Sequence, residues 1–150
     1  MKKSVEAFDL KFINFLRRYQ AWIARVAIFI VYTWFGLLKL FDKSPASPIA
    51  EALVDKTVGA QHFDKLFIIL AVLECIIGIL FLFPKAIRVV FPLLLTHLVI
   101  VCSPLLLVPE QSWQQAFVPT LEGQYIIKNI LIVALAVAVA AKTKPKRSIK

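Results

Sequence analysis

The chain has 150 residues, 60% of them hydrophobic and 18% charged, with a formal net charge of +9. Soluble domains sit nearer roughly 45–50% apolar, so this composition points to one domain's length of membrane protein. The cations lie in short segments flanking apolar runs, a pattern of membrane topology and anionic headgroups that argues against a nucleic-acid binder.

Residues 4–20 have helical spacing, with Val5, Phe8, Phe12, Phe15, Leu16 and Tyr19 on one face and Lys11, Arg17 and Arg18 largely elsewhere. Ser4 can cap the start, and Glu6 and Asp9 sit near the positive end of the dipole. This reads as an amphipathic helix lying in the membrane interface, or as a lead-in to the first span. That span runs over about 22–41 and carries Arg25 near its inner end and Lys39 near its outer end. Arg25 is expected to snorkel to the headgroups, Trp22 to sit in the interfacial belt and Trp34 to face the bundle.

In the first loop, Ser44–Pro48 breaks the helix, and Ser47 reads as an N-cap with Pro48 at the first helical position. A short surface helix over about 48–58 follows, ended by Gly59. The second span, about 66–83, is apolar throughout except for Glu74. A carboxylate at that depth costs roughly 2.5–3.5 kcal/mol by insertion scales. A chain retains it only with a partner or a use.

A basic turn, Phe83–Arg88, leads to the third span, about 89–108, with Pro92 in its first turn, His97 midway and Pro104 expected to kink its far end. Residues 109–124 contain no Lys or Arg, and Trp113 and Phe117 suggest an interfacial piece. The fourth span, about 125–141, opens with Lys128 and Asn129, and a basic tail closes the chain. Twelve cations fall in the N-terminus, the second loop and the C-terminus, against three in the other two loops. That split places both termini in the cytoplasm and requires an even number of spans. The expected architecture is therefore all-α: a polytopic membrane four-helix bundle, one domain over 1–150, with the two interfacial helices attached.

Depth decides which polar groups can meet. Lys39 and Lys128 both lie near the outer ends of their spans, within stem reach of Glu74, and Asn129 and Tyr32 could complete its hydrogen bonding. The functional reading is an outer-half ligand pocket of Lys39, Glu74 and Lys128, roofed by the outer loops and Glu122. The structural reading is an ion pair that fixes helix register. Two lysines would leave a positive surplus for an anion, a quinone carbonyl or Glu122 to answer. His97 is a lesser candidate, expected to hydrogen-bond a backbone group or a hydroxyl, and no metal site is expected. Cys75 and Cys102 are buried thiols outside any CxxC, with a redox pair as the alternative. Gly36 and Gly78 mark close helix packing.

Arg25 followed by Trp34-Phe35-Gly36-Leu37-Leu38-Lys39, then Leu73-Glu74-Cys75-Ile76-Ile77-Gly78-Ile79-Leu80, then Glu122-Gly123-Gln124-Tyr125-Ile126-Ile127-Lys128-Asn129 resembles the DoxX-like family of small four-span membrane proteins. The resemblance covers about residues 22–141. It implies a four-helix bundle and a family pattern at Arg25, Gly36, Lys39, Glu74, Gly78, Glu122, Gly123 and Lys128. Asn129 departs from it, standing where an aspartate often follows the lysine. The resemblance implies association with quinone-linked sulfur oxidation or with oxidative and thiol stress, and a distant animal relative is an assembly chaperone. The resulting expectation is a membrane subunit or partner of a redox system in the plasma (inner) membrane, with membrane lipids, a quinone or lipid ligand, a redox partner protein and a homodimer as candidate partners. The alternatives are a chaperone or scaffold for other membrane proteins and a small transporter working as a dimer.

Overall fold

The computed structural model describes residues 2–143, with side chains from Val5 onward. The basic tail from Lys144 lies outside the described residues, as does the side chain of Ser4. The chain is mostly helical. Its first element, α1 (Lys2–Leu40), is one uninterrupted helix of 39 residues. The expected division into an interfacial helix at 4–20 and a span at 22–41 is therefore not seen. The physical reason lies in the composition: no Gly or Pro occurs before Gly36, so nothing breaks the hydrogen-bond ladder between the two segments.

α1 ends in a Schellman turn. Asp42 adopts a left-handed φ of 59°, its N–H donates to Lys39 O, and the Lys43 N–H donates to Leu38 O at 2.8 Å. After Pro45 comes α2 (Ser47–Thr57), close to the expected 48–58. Its cap differs from expectation: Ala46 is the N-cap residue, and Ser47 Oγ instead donates to Ser44 O at 2.9 Å. Gly59, at φ 96°, closes the helix, its N–H donating to Val54 O.

A 3-10 turn at Ala60–His62 leads into α3 (Phe63–Phe81), which starts three residues earlier and ends two earlier than the expected span. A second 3-10 turn, Pro84–Ala86, opens α4 (Ile87–Cys102). Pro92 sits in the second turn of α4, and the Thr96 hydroxyl donates to its carbonyl at 3.1 Å. Pro104 ends the helix at Ser103 and restarts it as α5 (Pro104–Leu107), a break at the expected position. The next segment is not a simple interfacial piece. It forms α6 (Pro109–Ser112) and a small antiparallel hairpin, β1 (Trp113–Gln115) with β2 (Val118–Pro119). Thr120 then caps α7 (Leu121–Ile127), accepting from the Gly123 N–H at 3.0 Å, and α8 (Asn129–Ala140) follows directly.

Three helical stretches are long and apolar enough to cross a membrane: Val5–Leu40, Pro84–Leu107 and Leu121–Ala140. α3 has the length, 19 residues or about 28 Å, but carries Asp64, Lys65 and Glu74. Helix α1 packs on α3 and α8, α3 packs on α4, and α4 packs on α8, so the contacts close a ring. Inside it lies a core of Ile28, Ile77, Phe81, Ile87, Val90, Leu94, Ala136 and Val139. Outside it the chain exposes Ile30, Val89, Val99, Ile130 and Leu131, as a membrane-embedded surface must.

The tightest contact is between α1 and α3. A Cβ added at Gly36 would lie 2.6 Å from Cys75 Sγ and 2.8 Å from Ala71 O. One added at Gly78 would lie 2.5 Å from Thr33 Oγ1 and 3.0 Å from Thr33 N. Without side chains at these points the two backbones come close enough for dispersion and Cα–H contacts to replace the hydrophobic drive that lipid removes.

Candidate functional site

The close approach of α1 to α3 positions a buried polar chain. Helical spacing puts Tyr32 and Lys39, seven residues or two turns apart, on the ring-facing side of α1. Glu74 lies near the middle of α3, about 16 Å from its start, deeper than the earlier helix boundary implied. His97 projects from α4 into the same space. All four residues are buried.

Lys39 Nζ donates to Glu74 Oε2 at 2.6 Å. His97 Nε2 lies 3.2 Å from Glu74 Oε1, and His97 Nδ1 lies 3.3 Å from the Tyr32 hydroxyl. The Tyr32 and His97 rings meet edge to face, with centroids 5.3 Å apart. Donor inventory orders this chain. With Glu74 ionised opposite Lys39, it accepts only, so a neutral His97 carries its proton on Nε2 and accepts from the Tyr32 O–H at Nδ1. The result is one polarised run, Tyr32 to His97 to Glu74, closed by Lys39. Three helices supply it, and its one formal positive and one formal negative charge cancel.

Arg25 forms a second polar contact further along the same face of α1. Its Nη1 donates to Phe81 O, the last carbonyl of α3, at 2.9 Å. Arg25 is buried and caps a helix end by this bond.

Several expected site residues lie elsewhere. Lys128 is exposed, with Nζ 4.8 Å above the Tyr125 ring, and among the described residues Glu74 has Lys39 as its ion-pair partner and His97 as a hydrogen-bond partner. Lys128 stands at the junction of α7 and α8 with helical backbone angles, and its side chain lies over the Tyr125 ring on the exposed face. Glu122 is exposed and Asn129 half-buried, and neither is among the residues bonded to Glu74. Trp34 is 63% exposed and faces away from the ring, contrary to expectation. Cys75 and Cys102 are free thiols, and Cys75 Sγ lies 3.9 Å from Thr33 O.

Sequence reasoning weighed His97 against a metal and overlooked Glu74 as its partner. The missed signal was that both sit midway along their spans, at matching depth. The segment between α5 and α7 forms a polar cap: Ser112 Oγ donates to Pro104 O at 2.9 Å, Trp113 Nε1 to Leu105 O at 2.9 Å, and Thr120 Oγ1 to Gln111 O at 2.6 Å. Gly123 packs against the Ser112 carbonyl where any side chain would collide. Gly123 thus lets α7 approach α6 closely.

No protein-family model matches the chain, and no curated protein and no solved structure is similar to it.

Proposed function

We propose that this chain is a DoxX-like multi-pass membrane protein, with α3 as the fourth span and both termini in the cytoplasm, serving as a membrane subunit or partner of a redox system. Glu74 neutralised by Lys39 and hydrogen-bonded to His97 makes α3 tolerable in lipid despite its charges. The charge count along the loops supports the orientation. The resemblance in the Trp34–Lys39, Leu73–Leu80 and Glu122–Asn129 segments supports the redox association.

The observation that carries the reading is the Tyr32–His97–Glu74–Lys39 chain. Fixing helix register needs one ion pair. This chain adds an imidazole and a phenol in hydrogen-bond sequence, which can accept, pass and return a proton near mid-membrane. Quinone reduction takes up protons with electrons, and a quinone carbonyl needs a donor, which Lys39 retains because it has three N–H groups and gives one to Glu74. A membrane quinone is accordingly the ligand class this site suits.

The test is detergent-purified protein analysed for co-purified quinone, with binding of quinone analogues to the protein and to Glu74→Gln and His97→Gln. Co-purification of a quinone, and analogue affinity lowered at least several-fold in both variants, are expected. A quinone-free preparation that ignores added analogues overturns the redox reading and leaves a structural ion network.

A further inference from the structure

Arg25 is 7% exposed and carries a full positive charge, yet no carboxylate forms an ion pair with it among the described residues. The nearest acids along the chain stand elsewhere. Glu74, seven residues or about 10 Å from Phe81 along α3, is held by Lys39. Asp9, on α1 itself, is 16 residues or about 24 Å away. Lys85 and Arg88, in the turn and helix start that follow Phe81, are both cations. The Phe81 carbonyl and the end of α3 behind it answer Arg25 with roughly half an elementary charge. A covered cation in that position calls for an anion to complete it.

The guanidinium has donors to spare. Its five N–H groups form a fixed fork. Nη1 donates to Phe81 O at 2.9 Å, and the side edge, Nε–H with Nη2–H, donates to nothing among the described residues. That edge is open. Thr33 Oγ1 is the one buried side-chain polar atom without a partner among the described residues, so the unbonded Nε and Nη2 reach the surface. Two parallel N–H groups on one edge match two oxygens of a carboxylate or a phosphate.

Position favours phosphate. Trp22, one turn before Arg25 and 53% exposed, is an aromatic of the interfacial kind, and Phe81 lies three residues before the Pro84–Ala86 turn that ends α3. Arg25 therefore opens at the level of a bilayer's headgroups. Beside it, Trp22, Ile23, Val26, Ala27 and Ile30 line a shallow apolar groove on α1. The groove starts at Trp22, about 60° round the helix from Arg25, and reaches Ile30, about 7.5 Å further into the membrane than Arg25. A headgroup on Arg25 and an acyl chain in this groove follow one direction into the bilayer.

We infer that the open edge of Arg25 seats a phosphate group, with an anionic phospholipid as its source: two phosphate oxygens on Nε and Nη2, and one acyl chain along the groove. One guanidinium then joins the end of α3 to a lipid, with the Phe81 carbonyl on one side and the phosphate on the other. The site rests on α3 lying in the membrane beside α1. It stands about 10 Å along α1 from Tyr32 and holds whether or not the buried polar chain binds a quinone.

The experiment is native mass spectrometry of the full-length protein released from detergent. It is titrated with phosphatidylglycerol, with phosphatidylcholine of the same acyl chains, and with inorganic phosphate. The first phosphatidylglycerol should bind at least five-fold more tightly than the first phosphatidylcholine. Arg25→Gln removes the charge, and Arg25→Lys keeps the charge without the paired edge. Each should weaken phosphatidylglycerol at least five-fold, and the lysine variant decides the matter where the glutamine variant does not fold. Arg18→Gln, at an exposed cation on the same helix, should change the affinity less than two-fold. Full affinity in Arg25→Lys, or equal affinity for the two lipids, overturns the proposal. So does an equal loss in Arg18→Gln, which would make the attraction a diffuse one. Inorganic phosphate that displaces phosphatidylglycerol at equal concentration overturns the lipid source and leaves free phosphate at the same edge.

Discussion

Lys39 and Glu74, 35 residues apart in the chain, meet at 2.6 Å with both side chains more than nine-tenths buried. At that burial the desolvation of either charge is tolerable only while the other remains, so the pair behaves as one unit. Glu74→Leu or Lys39→Met alone should each lower stability by about 3–5 kcal/mol, and the double variant should recover most of it. Thermal unfolding in detergent across this double-mutant cycle measures the coupling. Additive losses would contradict the pairing.

Tyr32→Phe removes the hydroxyl beside His97 Nδ1 and leaves the ring contact in place. A loss of about 0.5–1.5 kcal/mol is expected, the ordinary net worth of one hydrogen bond. If the proton-handling reading holds, the same substitution also lowers quinone-analogue affinity. Unchanged affinity beside the small stability loss would confine Tyr32 to a packing role.

Gly36→Ala and Gly78→Ala should each destabilise by roughly 1–3 kcal/mol through overpacking. Backbone atoms lie in the way as well as side chains: Ala71 O at 2.8 Å from the added Cβ at Gly36, and Thr33 N at 3.0 Å from that at Gly78. Trimming the facing side chain, with Cys75→Ala or Thr33→Ala, should therefore rescue each only in part. Full rescue would mean that the helices are free to separate.

Phe117, at the tip of the β1–β2 hairpin, is 95% exposed and held at a φ of 62°. A bulky side chain in the left-handed region costs roughly 1–2 kcal/mol, and this one makes no burial to offset it. Phe117→Gly should raise stability by about 0.5–1 kcal/mol. A loss instead would reveal that the ring is covered by lipid or a partner in the membrane.

The Glu110 carboxyl, held by its own backbone N–H and then by Lys56 at 3.2 Å, lies below the usual carboxylate range. A depressed folded pKa adds stability above the unfolded pKa and loses it as pH falls through the folded one. The melting difference between the parent and Glu110→Gln should be small at neutral pH, shrink further in salt, and vanish in acid. A difference that grows as pH falls would show the opposite linkage.

The Lys39–Glu74 pair was legible in the sequence because an ionisable group inside an apolar run demands a partner, and few were on offer at reach. Positions of helices along the chain followed from hydropathy, with α2 foreseen nearly to the residue. His97 was a candidate, but its contact with Glu74 was not legible: whether it turns that way depends on the rotation of α4, which a helix with apolar residues on every side does not disclose. Lys128 misled because depth was taken from residue count alone, while its rotational position on the helix places it on the exposed face over the Tyr125 ring. The continuity of α1 also escaped. Change of composition near residue 20 suggested a boundary, but composition does not break a helix without a Gly or Pro.

Arg25 and Lys39 both sit on α1, and both find their partners on α3. Chain synthesis delivers α1 first, so for the length of α2 and its flanking turns these two cations lack their partners. The buried polar contacts of α1 can form only once α3 has been made. Chain order makes the burial of Arg25 and Lys39 a cooperative event between α1 and α3.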